Sequence, residues 1–183
     1  MTRIFDFFFS FIGLIILSPI LIILLIIGYF DTGSPIFRQE RVGMHRKPFR
    51  LMKLRSMHLN APSVATHLAS ASSITPFGSF LRKSKLDELP QLWNVLLGDM
   101  SLVGPRPNLF NQEELIEERY SRGVYSVRPG ITGLAQINKI DMSTPKILAE
   151  ADAKMIQELN SLVYLKYIFL TVLGKGFGDR IKN

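Results

Sequence analysis

Apolar residues are concentrated at the start of the chain. No charged residue occurs from Phe7 to Phe30, a run of 24 residues. A helix of that length would extend about 36 Å, enough to cross the roughly 30 Å hydrocarbon core of a bilayer. The run is too long for a cleavable signal peptide, Arg3 is the basic residue before it, and no small-residue cleavage motif follows it. The pattern therefore predicts a permanent membrane anchor.

Ser18-Pro19 lies in the middle of this run and leaves two geometries open for the anchor. Proline removes a backbone donor and clashes one turn back, so a helix broken there has halves of about 17 Å. A kinked helix that spans the bilayer fits, and so does a re-entrant hairpin that leaves by the face it entered. Residues 31–60 hold seven Lys or Arg against two acids, which predicts a cytoplasmic flank. The other flank, Arg3 and the terminal amine against Asp6, is also weakly basic and mildly favours the hairpin, although proline is tolerated in spanning helices.

Beyond the anchor, the pattern predicts a small domain of short elements. Two extended segments, Ile36 to Arg41 and Phe49 to Met57, precede a polar loop over 59–76. Apolar residues then recur at helical spacing over 86–97, 113–120, 147–159 and 162–173. The last stretch is too short to span a bilayer and suits an interfacial or core helix. The residues alone thus predict helices with a few short strands beside an anchor.

Composition narrows the class of protein. The chain has 183 residues, enough for one domain with an anchor, and its 47% hydrophobic content argues against intrinsic disorder. The absence of cysteine excludes a disulfide scaffold, a zinc ribbon and thiol catalysis. The three histidines lack metal-ligand spacing. Lys and Arg number 22 against 15 Asp and Glu, which gives a net charge of +7 and suits an anionic surface or substrate.

Adjacent carboxylates and a fixed cation stand together in the block 85–107. Asp87 and Glu88 fall at a predicted helix start, where either Ser84 or Asp87 itself would be the N-cap. Acids at such a position commonly do no more than stabilise the helix dipole. Here, however, Arg106 stands between two prolines, and a fixed guanidinium suits bidentate contact with phosphate. The block therefore indicates a site for a divalent cation and a phosphorylated substrate, in which an aspartate could attack phosphorus.

Two further cation-bearing segments belong to this pattern. Lys53-Leu-Arg55 and Arg128-Pro-Gly130 each fit, taken alone, a solvated face or a contact with lipid headgroups. Taken with Arg106, they indicate an anion site beside the membrane.

Six stretches follow one another in an order that is typical of one known family. They are the apolar segment with Ser18-Pro19, then Phe37 to Gly43, Phe49 to Met57, Gly78 to Arg82, Asp87 to Pro107, and Arg128 to Gln136. In these stretches the chain resembles the bacterial sugar transferases, which are monotopic polyprenyl-phosphate sugar-1-phosphate transferases, also called phosphoglycosyl transferases. The resemblance runs from about Phe5 to Asp152, its central block is highly specific, and the length is that of the small members without extra membrane helices.

The resemblance implies a fold and a location. The fold is mainly α with a few short β-strands. Residues 1–30 would form a re-entrant membrane helix broken at Ser18-Pro19. Residues 31–183 would form a small α/β catalytic domain with interfacial amphipathic helices. That domain would lie on the cytoplasmic face of the bacterial inner membrane.

The resemblance also implies the reaction. Asp87 would attack the β-phosphate of a UDP-sugar, UMP would leave, and polyprenyl (undecaprenyl) phosphate would then attack the phosphosugar-aspartyl enzyme in the first step of surface glycoconjugate assembly. Glu88 is implied as the partner of Asp87, and both acids as ligands of Mg²⁺. The remaining matched polar positions are implied contacts to substrate and phosphate: Lys53, Arg55, Arg82, Arg106, Arg128 and Gln136.

Some alternatives remain open at this point. A single-span phosphotransferase of another class and a non-enzymatic basic scaffold, anchored in the membrane and binding anionic lipid or nucleic acid, fit parts of the pattern. The proline-fixed turns and the acidic pair argue against the scaffold, and we expect no nucleic-acid partner. As the donor sugar we expect an N-acetylated hexosamine or its deoxy derivative. Many family members carry Asn-Gly-Arg-Asn where this chain has 138–141, so a cationic contact has moved to Lys139 or the sugar pocket differs.

Overall fold

Helices make up most of the computed structural model, which describes residues 2–61 and 71–174. A long helix α1 (Thr2–Thr32) is followed by a hairpin of β1 (Ile36–Val42) and β2 (Pro48–Leu54). The remaining elements are α2 (Pro76–Ser84), α3 (Gln91–Leu97), β3 (Ser101–Val103), α4 (Glu113–Ser121), β4 (Gly130–Thr132), α5 (Leu134–Ile137), α6 (Pro145–Glu158) and α7 (Ser161–Val172). The expected mainly helical class with a few short strands is confirmed, while residues 62–70, half of the loop predicted over 59–76, lie outside the described residues.

Helix α1 continues through Ser18-Pro19, where we expected it to break. Pro19 has no N–H to donate to the carbonyl of Ile15, but the Ser18 hydroxyl donates to that oxygen at 2.8 Å. The serine thus supplies the donor that the proline lacks, and the prediction is corrected to a proline inside one helix. By length and composition α1 could cross a membrane, and only 11% of its most apolar stretch is buried against the rest of the protein.

The first turns of α1 are bound to the domain by buried polar contacts. Asp6 is 2% exposed, and its Oδ1 accepts hydrogen bonds from three groups: the Ser101 hydroxyl at 2.8 Å, the Leu102 amide at 2.8 Å and the Tyr164 hydroxyl at 2.6 Å. Arg3 donates to the carbonyls of Val95 and Leu96 at the end of α3. A buried carboxylate with three donors fixes both the position and the rotation of this end of the helix.

The last turns of α1 pack on the same domain. Leu24 is buried in a cluster with Leu54 of β2 and Leu81 of α2. The carboxylate of Asp31 accepts a hydrogen bond from the Thr75 hydroxyl at 2.7 Å, at the N-cap of α2. Both ends of the helix are therefore held by the domain that follows it, while most of its apolar side chains stay exposed.

Two small sheets position the loops of the site. Strands β1 and β2 are antiparallel, with Phe37 opposite Lys53 and Arg41 opposite Phe49. Strands β3 and β4 are parallel, and a Cβ on Gly130 would lie 2.0 Å from the backbone nitrogen of Gly104. The loops that follow β3 and precede β4 can cross this closely because both positions are glycine.

The main core lies between the hairpin, α3, β3 and the last two helices. Its buried members include Leu51, Val95, Met155 and Tyr164. On α7 the inward side chains Tyr164 and Tyr167 are in this core, whereas the outward ones, Leu162, Phe169 and Val172, are 63–80% exposed. One face of this helix is therefore core, as predicted, while the other is apolar and exposed and its place at the membrane interface stays a prediction.

Candidate active site

The two adjacent acids lie in a short turn between α2 and α3. The Ser84 hydroxyl donates back to the carbonyls of Phe80 and Leu81, so Ser84 ends α2 and caps no later helix. Lys85 has φ +60°, in the left-handed region, and is followed by the 3₁₀ turn Leu86–Glu88. Helix α3 starts only at Gln91. Both predicted caps are therefore wrong, because the left-handed residue and the 3₁₀ turn separate these side chains from the first turn of α3.

Two cations converge on the second acid. Asp87 is 3% exposed and Glu88 is 9% exposed. The Oε1 atom of Glu88 accepts from Arg106 Nη2 at 2.7 Å and from Lys53 Nζ at 3.3 Å. Lys53 comes from β2 and Arg106 from the loop after β3, so three separate segments meet here. Because the groups are shielded from water, their electrostatic interactions are stronger than at the surface.

Arg82, also predicted from the sequence, lies in the last turn of α2. Its Nε donates to the Ser56 hydroxyl at 2.8 Å, just beyond the end of β2. Its Nη1 is buried and has no hydrogen-bond partner among the described residues. A buried guanidinium nitrogen without an acceptor is a donor available to a phosphate oxygen.

Three other predicted site residues have their bonds elsewhere. Arg55 Nε donates to the Ser34 carbonyl at 2.7 Å and closes the turn after α1. Arg128 Nε donates to the Gly98 carbonyl at 2.8 Å, at the opposite end of α3 from the acids. Gln136 is 8% exposed and donates to the Gly104 carbonyl at 3.2 Å. All three support backbone turns, and their part in phosphate binding stays a prediction.

Residues missing from the predicted site support its loops. Arg41 is 8% exposed and donates to the Pro107 carbonyl at 3.2 Å and to Gln39 Oε1 at 2.6 Å. Both side chains share a face of the hairpin with Lys53, which the strand register explains. The alternation of side chains along β1 could be read from the sequence, but only the pairing with β2 shows which of them lie on the same face as Lys53.

A buried ion pair, also missing from the prediction, lies behind the Arg106 loop. Arg119 on α4 is 1% exposed and Asp152 on α6 is 0% exposed. Burial raises the pKa of the Asp152 carboxyl, and the charge of Arg119 opposes this rise. Burial also raises the pKa of Tyr125, whose hydroxyl donates to Asn108 Oδ1 at 3.0 Å in the same network.

The acidic pair fits a hard divalent cation. No group of three or more His, Cys, Asp or Glu suited to a metal occurs within residues 2–61 and 71–174. Mg²⁺ does not require such a cluster, since it is usually held by one or two carboxylates together with water and substrate phosphates. Asp87 and Glu88 supply two adjacent carboxylates, so the donor set suits Mg²⁺ bound with a phosphorylated substrate.

Comparison with known proteins identifies the family. The family model described as bacterial sugar transferase matches residues 1–176. The "Exopolysaccharide production protein PSS" of Rhizobium leguminosarum bv. phaseoli is 35% identical over 97% of this chain and 98% of its own length. The "Uncharacterized sugar transferase EpsL" of Bacillus subtilis is 38% identical over 94% of this chain and 85% of its own. The "UDP-glucose:undecaprenyl-phosphate glucose-1-phosphate transferase" of Klebsiella pneumoniae is 42% identical over 90% of this chain, which covers 37% of that protein. The resemblance seen in the motifs is thus confirmed, and the chain belongs to the bacterial sugar transferase family as a homologue of undecaprenyl-phosphate sugar-1-phosphate transferases.

Proposed function

We propose that this protein transfers a sugar 1-phosphate from a UDP-sugar to polyprenyl (undecaprenyl) phosphate and so initiates assembly of a surface polysaccharide. The observation that carries the proposal is the buried pair Asp87 and Glu88, with Lys53 and Arg106 both bonded to Glu88. Membership of the sugar transferase family supplies the substrate class.

In the first step a carboxylate oxygen of Asp87 attacks the β-phosphorus of the UDP-sugar. A phosphorus–oxygen bond to the aspartate forms, and the bond to the oxygen bridging the two phosphates breaks. UMP leaves with that oxygen and its electron pair, so no proton transfer or change of oxidation state is needed. The product is a phosphosugar-aspartyl enzyme, an acyl phosphate.

In the second step a phosphate oxygen of the polyprenyl phosphate attacks the same phosphorus. The bond to Asp87 breaks, the carboxylate is restored, and polyprenyl diphosphate-sugar is released. Because one site serves a soluble and a lipid substrate in turn, ping-pong kinetics are expected.

The cations around the acids neutralise the charge that the two substrates bring. Arg106 and Lys53 already bond Glu88, and Arg82 has a buried donor to offer. Fixed cations stabilise the transferring phosphoryl group without reorganising during the reaction. Mg²⁺, held by Asp87 and Glu88, would act as a Lewis acid toward the phosphate oxygens. Arg55, Arg128 and Gln136 keep the turns of the site in place, and their contact with substrate is part of the proposal.

We also propose that α1 is re-entrant, with the domain on the cytoplasmic face of the inner membrane. The support is that both ends of α1, at Asp6 and at Asp31, are bonded to the same domain. A helix that crossed the bilayer would place its first turns on the opposite side and would lose the three hydrogen bonds to Asp6. The proline and serine in its middle allow the bend that re-entrance requires.

The relatives differ in the sugar for which they are named. The Klebsiella relative is named for glucose, and a Bacillus subtilis relative, 45% identical over 57% of this chain, is called a putative N-acetylgalactosaminyl 1-phosphate transferase. We propose an N-acetylated hexosamine or its deoxy derivative, and the panel of donors must therefore include UDP-glucose and UDP-galactose as well.

The test is release of UMP from a panel of UDP-sugars by the protein in nanodiscs with Mg²⁺ and polyprenyl phosphate. We expect one donor to give UMP and Asp87→Asn to lose at least about 10³-fold in rate, because the nucleophile is gone. With labelled donor and no acceptor, the unmodified protein should retain a labelled phosphosugar that Asp87→Asn lacks.

Glu114→Gln is the matched control, since it removes an exposed carboxylate from α4 and should keep full activity. Undiminished release by Asp87→Asn would contradict the covalent mechanism. Absence of release by the unmodified protein with every donor would contradict the function itself.

A further inference from the structure

Each carbonyl from Pro105 to Asn108 accepts a hydrogen bond, and the donors come from three other elements of the domain: β1, β4 and α4. The Pro105 carbonyl accepts from the Gly130 amide at 2.8 Å, and the Asn108 carbonyl accepts from the Val42 amide at 2.9 Å. Between them, the Arg106 carbonyl accepts from Arg119 Nη1 at 2.9 Å and the Pro107 carbonyl from Arg41 Nη1 at 3.2 Å. The backbone that carries Arg106 is thus fixed at four consecutive points, and two prolines restrict its dihedral angles further.

Arg119 makes the contact closest to the functional side chain. Its Nε and Nη2 both donate to Asp152 Oδ2, at 3.0 and 2.7 Å. Its Nη1 donates to the Arg106 carbonyl and to Asn108 Oδ1, both at 2.9 Å. Asp152 therefore sets the plane of the guanidinium, and that plane directs the remaining nitrogen at the loop.

Stability alone is a weak reason for this pair. Both side chains are fully buried, and the cost of removing two charges from water offsets most of their attraction. A pair of apolar residues would fill the same space without that cost. What apolar residues would not supply is a fixed donor at the Arg106 carbonyl.

We propose that Arg119, oriented by Asp152, is a positioning residue that fixes the backbone of Arg106 so that its guanidinium reaches Glu88 and the transferring phosphate. This inference rests on the proposed function, since it gives Arg119 a part in that reaction. Arg119 itself lies behind the loop and acts only through Arg106.

The first test is a double-mutant cycle on UMP release. Arg119→Lys keeps the charge beside Asp152 but loses the planar fork, so we expect kcat to fall about 10- to 100-fold, with a smaller change in KM for the donor. In the background of Arg106→Ala, the same Arg119→Lys change should cost less than about twofold, because the side chain that it positions is absent. Losses that multiply independently in the two backgrounds would overturn the proposal.

The second test does not depend on activity. Hydrogen exchange of peptides that cover 104–109 should be faster in Arg119→Lys, while peptides of α3 and β2 keep their protection. Arg122→Lys is the matched control, since Arg122 directly follows the last residue of the same helix and bonds Glu118 and Glu150 instead. It should leave both exchange of the loop and kcat unchanged.

The outcomes separate the inference from the function. Unchanged exchange in the loop, or an equal increase across α4, α6 and the loop, would overturn the positioning role. A lack of UMP release by the unmodified protein would instead contradict the proposed function, while the exchange measurement still decides whether Arg119 fixes the loop.

Discussion

Glu88 is the side chain that Lys53 and Arg106 both contact. The side chains of Lys53 and Glu88 are 9% and 10% exposed, so their interaction is little screened by water. This carboxylate balances buried positive charge, and in the proposed reaction it would also hold Mg²⁺ at the substrate phosphates. Substitutions can separate the two roles.

At the residue scale, Glu88→Gln is expected to lower both stability and activity. Removing the carboxylate that Lys53 and Arg106 face should cost about 3 kcal/mol of unfolding free energy. Lys53→Met/Glu88→Gln should recover part of that loss, because one buried charge is removed with the other, but it should recover no UMP release. Thermal unfolding in nanodiscs measures the first effect and the UMP assay the second. Activity that returned together with stability would show that Glu88 is only a structural counter-ion.

At the element scale, α1 is an apolar helix held by polar contacts near its two ends. Asp6 bonds β3 and α7, and Asp31 bonds the cap of α2. The exposed side chains between them are almost entirely apolar, which suits lipid contact. The side of the membrane on which Thr2 lies is therefore the decisive property of this element.

The topology can be measured with single cysteines, since the natural chain has none. We expect Thr2→Cys and Glu117→Cys to react alike with an impermeant maleimide. Both should be protected in intact spheroplasts and labelled in inverted membranes, because both ends of α1 would lie in the cytoplasm. Glu117 is exposed on α4 and reports the side of the domain. Labelling of Thr2→Cys alone in spheroplasts would establish a single span and overturn the hairpin.

At the scale of the whole molecule, buried tyrosines join distant parts of the chain, since Tyr164 of α7 bonds Asp6 of α1 and Tyr125, beyond the end of α4, bonds Asn108. Burial is the main cause that raises the pKa of Tyr164, and the hydrogen bond that its hydroxyl donates to Asp6 raises it further. Burial likewise raises the pKa of Tyr125 and Tyr167. In the unfolded chain a phenol ionises near about pH 10. Above that pH the folded state holds more protons than the unfolded state, so the free energy of unfolding must fall as pH rises.

We therefore expect the apparent Tm to fall between about pH 9 and pH 11, and to fall less in Tyr164→Phe. The phenylalanine variant should begin from a lower Tm at neutral pH, since it loses the bond to Asp6. Tyr120→Phe, which alters an exposed phenol, is the control and should follow the unmodified protein. A parallel fall in all three proteins would assign the alkaline loss to other groups.

Much of the local structure was predictable from the sequence. The apolar run, the strands near Ile36 and Phe49 and the helices over 113–120, 147–159 and 162–173 all follow from periodicity, and the structure has them within a few residues. The acidic pair and Arg106 were also predictable as a group, because they stand in one block with turn residues that fix them. These features depend on neighbours in sequence, for which local chemistry suffices.

Tertiary structure alone decided which distant residues meet. Lys53 reaches Glu88 only because β2 pairs with β1 and packs beside the 3₁₀ turn, and Arg119 reaches the Arg106 carbonyl across 13 residues. Ser84 or Asp87 was predicted as the N-cap, and neither caps α3 because the chain takes a left-handed backbone at Lys85, which is unusual for a lysine. The bonds of Asp6 and Asp31 to one domain are likewise a result of packing. The sequence by itself determined the elements and the chemical groups, since both depend on residues close together in the chain. Which of these groups come into contact depends on the packing of distant segments, and only the tertiary structure decides that.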